Sequence, residues 1–219
     1  YTLGAGGVAT GSKGVITINM NRLIQTAVKD GRDVCDAVRE QVKDIHVYLK
    51  AWNEILKDEF KAKLLPVYDA GYISLDKQFL TIGINGYIEG CEFLGYTISP
   101  DDERYVDFTN KVLKVIYDEN KADKSDGIMF NTEYVPAENL GVKNAKWDKE
   151  DGLVVPRDCY NSYFYIVEDP TKPIDKFMLH GSKMTQYLDG GSALHLNLEE
   201  HLSKEQYRKL MDIAIKTGC

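Results

Sequence analysis

The residues that could carry chemistry first appear at positions 4–23, GAGGVATGSKGVITINMNRL. Glycines, a Ser-Lys pair and a β-branched run raise the possibility of a phosphate-binding loop. A P-loop needs its Lys directly after the second glycine of Gly-x-x-x-x-Gly, and it runs from strand to loop to helix. Here Ser12 separates Gly11 from Lys13, and the loop leads into a strand at residues 15–19. The P-loop reading is excluded. What remains is a backbone anion nest at Gly11, Ser12 and Lys13, with Lys13 adding charge, or a flexible loop with no ligand.

The second candidate is the segment PAENLGVK. Pro136 fixes the backbone after a strand and Ala137 is small. A turn or helix start at this point presents free N–H groups to an anion. An ordinary strand-to-helix turn, with Glu138 as an acid near the cap, is the competing reading. Asn19 and Asn85 each end a strand, where an amide can offer both donor and acceptor to a ligand hydroxyl or simply bond its own turn. Asn19 is retained as a candidate and Asn85 is not. The acidic run Asp101-Asp102-Glu103 reads as a solvated helix start, and Gly190-Gly191 as a tight bend before a strand.

Cysteine and histidine give little. Cys35, Cys91, Cys159 and Cys219 are dispersed, with no C-x-x-C pair, so the expectation is reduced thiols of a cytoplasmic protein. His195 and His201 lack the spacing of two ligands on one helical face, and no metal site is expected.

The elements that must position these groups alternate. Residues 15–19 read as a strand, 22–29 as a short helix, and Asp33 as the cap of a long one. Val34, Val38, Val42, Ile45, Leu49, Trp52, Leu56 and Phe60 form its apolar stripe, taken as core. Residues 79–86 form the second strand and 87–95 a helix closed by Gly95. Ser99 and Pro100 predict the start of the next helix. Residues 127–135 read as a third strand, 144–156 as a polar excursion and 193–198 as a fourth strand. Ser203 and Gln206 form a capping box, with Leu202 and Tyr207 as its staple. The pattern is α/β, a largely parallel sheet with helices outside, in one domain spanning 1–219. A sheet of about four strands leaves an open edge, and with no Met at its start the chain reads as a piece of something larger.

The bulk numbers exclude other classes. At 219 residues, 43% hydrophobic and 28% charged, the chain is globular. No apolar run is long enough to span a bilayer and no secretory leader is visible. A net charge of -7 argues against a nucleic-acid partner.

Four stretches, GSKGVITIN, YVPAENLGVKN, CYNSYFY and YLDGGSALHLNLEEHLSKEQYRKL, together resemble the anaerobic (class III) ribonucleoside-triphosphate reductases, a glycyl radical enzyme family. The resemblance runs in order over essentially the whole chain. It implies the second half of a ten-stranded α/β barrel in an enzyme that converts ribonucleoside triphosphates to deoxyribonucleoside triphosphates. It also implies a glycyl radical, a thiyl cysteine on a finger loop, a structural zinc, and formate or a dithiol as reductant. A radical-SAM activase and a homodimeric full-length enzyme follow as partners. The radical glycine, the thiyl cysteine and the zinc ligands would lie outside this chain, which alone would be inactive. By resemblance, Pro136, Ala137, Glu138 and Asn139 face the substrate and its phosphates, Glu138 being suited to ribose hydroxyls. Gly11, Ser12 and Asn19 complete the candidate substrate contacts. Asn161-Ser162 matches a family dipeptide to which chemistry assigns no role. Two alternatives stand beside this reading: a catalytically inactive nucleotide-binding or assembly module derived from the barrel, and a different glycyl radical enzyme.

Overall fold

The computed structural model describes residues 11–167, 172–196, 198 and 201–219. Residues 4–10 of the opening loop and Asn197 therefore lie outside the described residues. Three strands, β1 (Ser12–Asn19), β2 (Phe79–Asn85) and β3 (Phe130–Glu133), pair in that order and all in parallel. The architecture is α/β, as the alternation of patterns predicts.

Because side chains alternate across a strand, the register assigns two faces to the sheet. Ile16, Ile82 and Thr132 share one row, Ile18 and Ile84 another. These rows face the helices, and Ile18, Leu80, Ile82, Ile84 and Phe130 enter the main core. The opposite face carries Thr17, Gly83 and Glu133 in one row and ends on Asn19 and Asn85. A parallel sheet is covered on both faces, and on this second face Thr81, Asn85, Asn131 and Glu133 are buried, while Val15 on β1 is 47% exposed.

Helix α1 (Met20–Lys29) follows β1 without a gap, because Asn19 accepts the Arg22 amide and serves as its cap. Helix α2 (Val34–Lys61) is capped by Asp33 and runs 28 residues, about 42 Å. Val38, Val42, Ile45, Leu49 and Leu56 of its stripe are buried, but Trp52 and Phe60 are not core residues, being 41% and 37% exposed. Trp52 instead braces β1, since its indole N–H donates to the Lys13 carbonyl at 2.8 Å and its ring lies against Gly14. A short turn of helix, α3 (Pro66–Asp69), precedes β2. Helix α4 (Tyr87–Phe93) follows it, and Gly95 closes that segment at φ 76°.

Helix α5 (Glu103–Ala122) starts later than Ser99-Pro100 predict. Asp102 is the cap, accepting from the amides of Thr97, Arg104 and Tyr105. A carboxylate with three donors outcompetes the Ser99 hydroxyl. The third strand is shorter than residues 127–135, since only four residues reach the β2 ladder.

Helix α6 (Glu138–Glu150) replaces the predicted polar excursion over most of its length. Helices α7 (Pro173–Leu179) and α8 (Ser182–Thr185) precede the Gly-rich bend. The strand expected at 193–198 is not formed among the described residues. Gly191 makes one parallel bridge to Glu133, and Tyr134 N–H donates to the Gly191 carbonyl. Beyond that point the Tyr165 hydroxyl takes the His195 amide at 2.7 Å, so a side chain occupies the bond a ladder would use. Helix α9 (Lys204–Thr217) has the full Ser203/Gln206 capping box and ends at Gly218, φ 71°. Its predicted staple residue Tyr207 is half exposed.

Candidate functional site

The C-terminal ends of the three strands carry a polar assembly held by side-chain amides. Asn85, the last residue of β2, is fully buried. Its Nδ2 donates to the Tyr160 carbonyl at 3.1 Å and to Ser162 Oγ at 3.1 Å, and its Oδ1 accepts from Asn144 Nδ2 at 2.8 Å. A strand-end Asn thus draws the 160–162 segment across the sheet and ties it to α6. The Gly86 amide adds a bond to the Asn161 carbonyl at 2.9 Å.

Between this segment and the start of α6 lies an open cleft of about 90 Å³, lined by Pro136, Ala137, Cys159, Tyr160, Asn161 and Ser162, with Tyr163 and Val167 completing the wall. No lining residue carries a charge. Ala137 stands at the N-cap of α6 and offers no side-chain acceptor, so the first-turn amides are without a side-chain cap. An anion in this cleft would be held by backbone N–H groups and the positive end of the helix rather than by Lys or Arg. Gly141 allows the helix to approach closely, since a Cβ there would stand 2.5 Å from the Tyr160 carbonyl oxygen.

Two buried carboxylates hold the wall of the cleft. Glu89 on α4 accepts from Asn161 N and Nδ2, each at 3.0 Å, and from Arg157 Nη1 at 2.7 Å. Burial pushes the Glu89 carboxyl up, and the Asn161 and Arg157 donors pull against that shift. Burial works against the Arg157 charge as well, but bonds to Glu92 and Glu89 leave its pKa raised. Asp148 on α6, with no exposed side-chain surface, accepts four donors: Asn19 Nδ2 at 2.9 Å, Arg22 Nε at 2.7 Å, Asn21 Nδ2 at 3.1 Å and the Tyr160 hydroxyl at 2.8 Å. The Tyr160 hydroxyl is raised by burial and by its bond to Asp148, so it stays a donor.

The structure divides the sequence-derived candidates into three groups. Pro136 and Ala137 line the cleft, while Glu138 opens α6 and Asn139 is exposed on its first turn. Asn19 sits at the same end of the sheet but not in the cleft. Its amide is engaged by Arg22 N and Asp148, and it borders a separate groove with Arg22 and Leu23. Gly11 and Ser12 are at the opposite end of β1, about 23 Å away at 3.3 Å per residue. Ser12 Oγ donates to the Gly14 carbonyl and accepts from Thr81. The Lys13 ammonium, its pKa lowered by burial, donates to the Leu75 and Gly127 carbonyls at 2.8 and 3.1 Å. Lys13 is a structural cross-tie.

Sequence reasoning missed Cys159, Tyr160 and Tyr163 as cleft residues, and Asp148 and Glu89 as supports. The Asn161-Ser162 dipeptide was the available signal for the segment. Nothing in the pattern distinguishes Asp148 from the other acids of its run.

The family model described as anaerobic ribonucleoside-triphosphate reductase matches residues 3–219. Among solved structures, the anaerobic ribonucleotide reductase from Thermotoga maritima with glycerol in the active site is similar at a TM-score of 0.86 and 28% identity. That alignment covers 95% of this chain and 36% of that one. The same enzyme in complex with dATP and CTP gives 0.85 and 28%, covering 95% of this chain and 36% of that chain. A further structure described as anaerobic ribonucleotide reductase gives 0.87 and 29%, covering 95% and 35% respectively. This chain therefore spans roughly a third of the length of the structures it matches. No curated protein sequence matches it.

Proposed function

The chain belongs to the anaerobic ribonucleoside-triphosphate reductase family, and on that basis we propose that it is the substrate-facing part of such a reductase, acting on ribonucleoside triphosphates. The observation that carries the reading is the uncharged cleft at the strand ends, which opens onto the uncapped start of α6. Residues 1–219 form one domain in this reading, the second half of a ten-stranded barrel. The α6 amides and the Pro136-Ala137 backbone take the phosphates, and Asn139 and Glu138 lie beside them. Asn161 and Ser162 form the wall on the sugar side, their side chains bonded to Glu89, the Val167 amide and Asn85. Asn19 contributes by ordering the strand end. Gly11 and Ser12, at the far end of β1, are not carried into the substrate contacts.

The chemistry of the whole enzyme is a radical removal of the ribose 2′-hydroxyl as water, with electrons from formate or a dithiol. The radical glycine and the thiyl cysteine are assigned outside this chain, and none of Cys35, Cys91, Cys159 and Cys219 takes the thiyl role. What this chain's residues do is bind, orient and exclude water. Among the described residues no three His, Cys, Asp or Glu side chains come together as a metal site, and the zinc ligands are assigned, like the radical glycine, outside this chain. A radical-SAM activase, a homodimer and a cytoplasmic setting belong to the same proposal. No helix among the described residues is long and apolar enough to cross a membrane.

The test is an anaerobic assay with labelled CTP on the full polypeptide carrying this sequence, with its radical installed. Deoxycytidine triphosphate is expected, and Ala137→Asp, which puts a carboxylate where the phosphates bind, is expected to cut turnover by about a hundredfold. CTP binding without turnover would favour the inactive binding module. Neither binding nor turnover would overturn the assignment of the cleft.

A further inference from the structure

Helix α6 docks on the strand ends in an unusual way. Its inward face is Gly141, Asn144, Ala145 and Asp148, spaced three and four apart, with the Ala145 methyl as its one apolar side chain. Polar contacts dominate this face. Gly141 abuts the Tyr160 backbone, Asn144 bonds Asn85, and Asp148 takes donors from Asn19, Asn21, Arg22 and Tyr160. Apolar packing tolerates sliding and substitution, whereas a carboxylate with both oxygens doubly occupied admits little movement. Asp148 is ten residues from the start of α6, about 15 Å along the axis, so it cannot itself touch a ligand at that start. Tyr160 joins the two places: it lines the cleft, its hydroxyl donates to Asp148, and its carbonyl accepts from Asn85.

We propose that Asp148, acting through Tyr160 and the body of α6, is a positioning residue that sets the first-turn amides of α6 against the cleft and thereby tunes recognition of the substrate's phosphates. The inference rests on the reading of the cleft as the substrate site. It assigns Asp148 no contact with the reacting atoms. It also separates two ligand parts: loosening the clamp weakens binding of the phosphate end more than that of the nucleoside end.

The experiment compares the full polypeptide with its Tyr160→Phe and Asp148→Asn variants. Dissociation constants are measured for CTP and for cytidine, and hydrogen exchange is followed at the Gly141 amide, which donates to the Ala137 carbonyl at 2.8 Å. Tyr160→Phe removes one of the four donors to Asp148 and the acceptor of an Asn21 bond, and is expected to weaken CTP about three- to tenfold more than cytidine. Exchange at Gly141 is expected to quicken in the free protein while amides in α5 keep their protection. If Asp148→Asn fails to fold, Tyr160→Phe decides the question alone. Folded variants with unchanged Gly141 exchange and an unchanged CTP-to-cytidine ratio would overturn the positioning role and leave the cleft assignment standing. A parent protein that binds CTP no better than cytidine would remove the cleft assignment, and the role of Asp148 with it.

Discussion

At the scale of single residues, the site is governed by contacts that sequence spacing does not reveal. Gly141 lies within α6, where alanine is ordinarily favoured by about 1 kcal/mol. The Tyr160 carbonyl oxygen and amide nitrogen, 2.5 and 3.1 Å from any Cβ placed there, reverse that preference. Backbone atoms cannot rotate aside as a side chain does. Gly141→Ala is expected to destabilise the protein by about 1–3 kcal/mol in urea denaturation and to lower CTP affinity, because α6 must back away from the cleft wall. A neutral or stabilising result would show that the close approach is relaxed in solution. Lys13 shows the same limit of pattern reading. Beside Ser12 in a glycine-rich loop it looks like an anion ligand, yet its ammonium is turned inward onto two carbonyls.

At the scale of elements, the helices whose faces are apolar were legible, and those fixed by polar contacts were not. Helices α2 and α9 follow from Asp33 and the Ser203/Gln206 box, which cap as their residue types require, whereas α1 begins two residues before the expected Arg22 because Asn19 caps it. Helix α5 was legible except for its start. Asp102→Ala is expected to lower the melting temperature, because the Thr97, Arg104 and Tyr105 amides lose their acceptor. Ser99→Ala, at the start that Pro100 suggests, is expected to leave it nearly unchanged; the reverse ranking would restore the sequence-based start. Beyond the turn or helix start expected at PAENLGVK, helix α6 was not legible, because its docking face carries Asn144 and Asp148 beside Ala145 where a hydrophobic period would be sought. Asn144→Leu improves both the helical propensity and the apolar pattern. It is nevertheless expected to cost about 1–3 kcal/mol, since Asn85 Oδ1 is left buried without its donor. Equal or greater stability of this variant in chemical denaturation would contradict the polar docking of α6.

At the scale of the whole molecule, two buried histidines couple the fold to pH. His46 of α2 stacks on Phe130 of β3 at 3.9 Å between ring centroids. It meets Asn120 Oδ1 at 2.8 Å and Asp123 Oδ2 at 3.0 Å, with Lys50 also bonded to Asp123. His180 meets Ser192 Oγ on one side and the Cys219 thiol on the other. Burial lowers the pKa of both imidazoles. The unfolded chain then binds more protons than the folded one below about pH 6.5, so stability is full above that value and falls as pH drops below it. Melting temperature is expected to decline from pH 7 toward pH 5.5, before the carboxylates titrate. The His46→Gln, His180→Gln double variant should flatten that decline. An unchanged slope in the double variant would assign the pH dependence elsewhere.

The α/β alternation, the first two strands, the Asp33 and Ser203 caps and, through four ordered stretches, the family can all be read from the order of residues. They depend on local rules: side-chain period, cap chemistry and backbone preference act within a few residues. Which polar residues meet is a matter of tertiary structure alone. Asp148 lies 129 residues from Asn19 and Glu89 lies 72 from Asn161, and no local rule pairs groups at such separation. The register of a parallel sheet brings Asn19 and Asn85 level, the 160–162 segment crosses them, and the carboxylates of α4 and α6 then fix it. Burial makes each of those bonds costly to break, and for that reason the cleft has one shape.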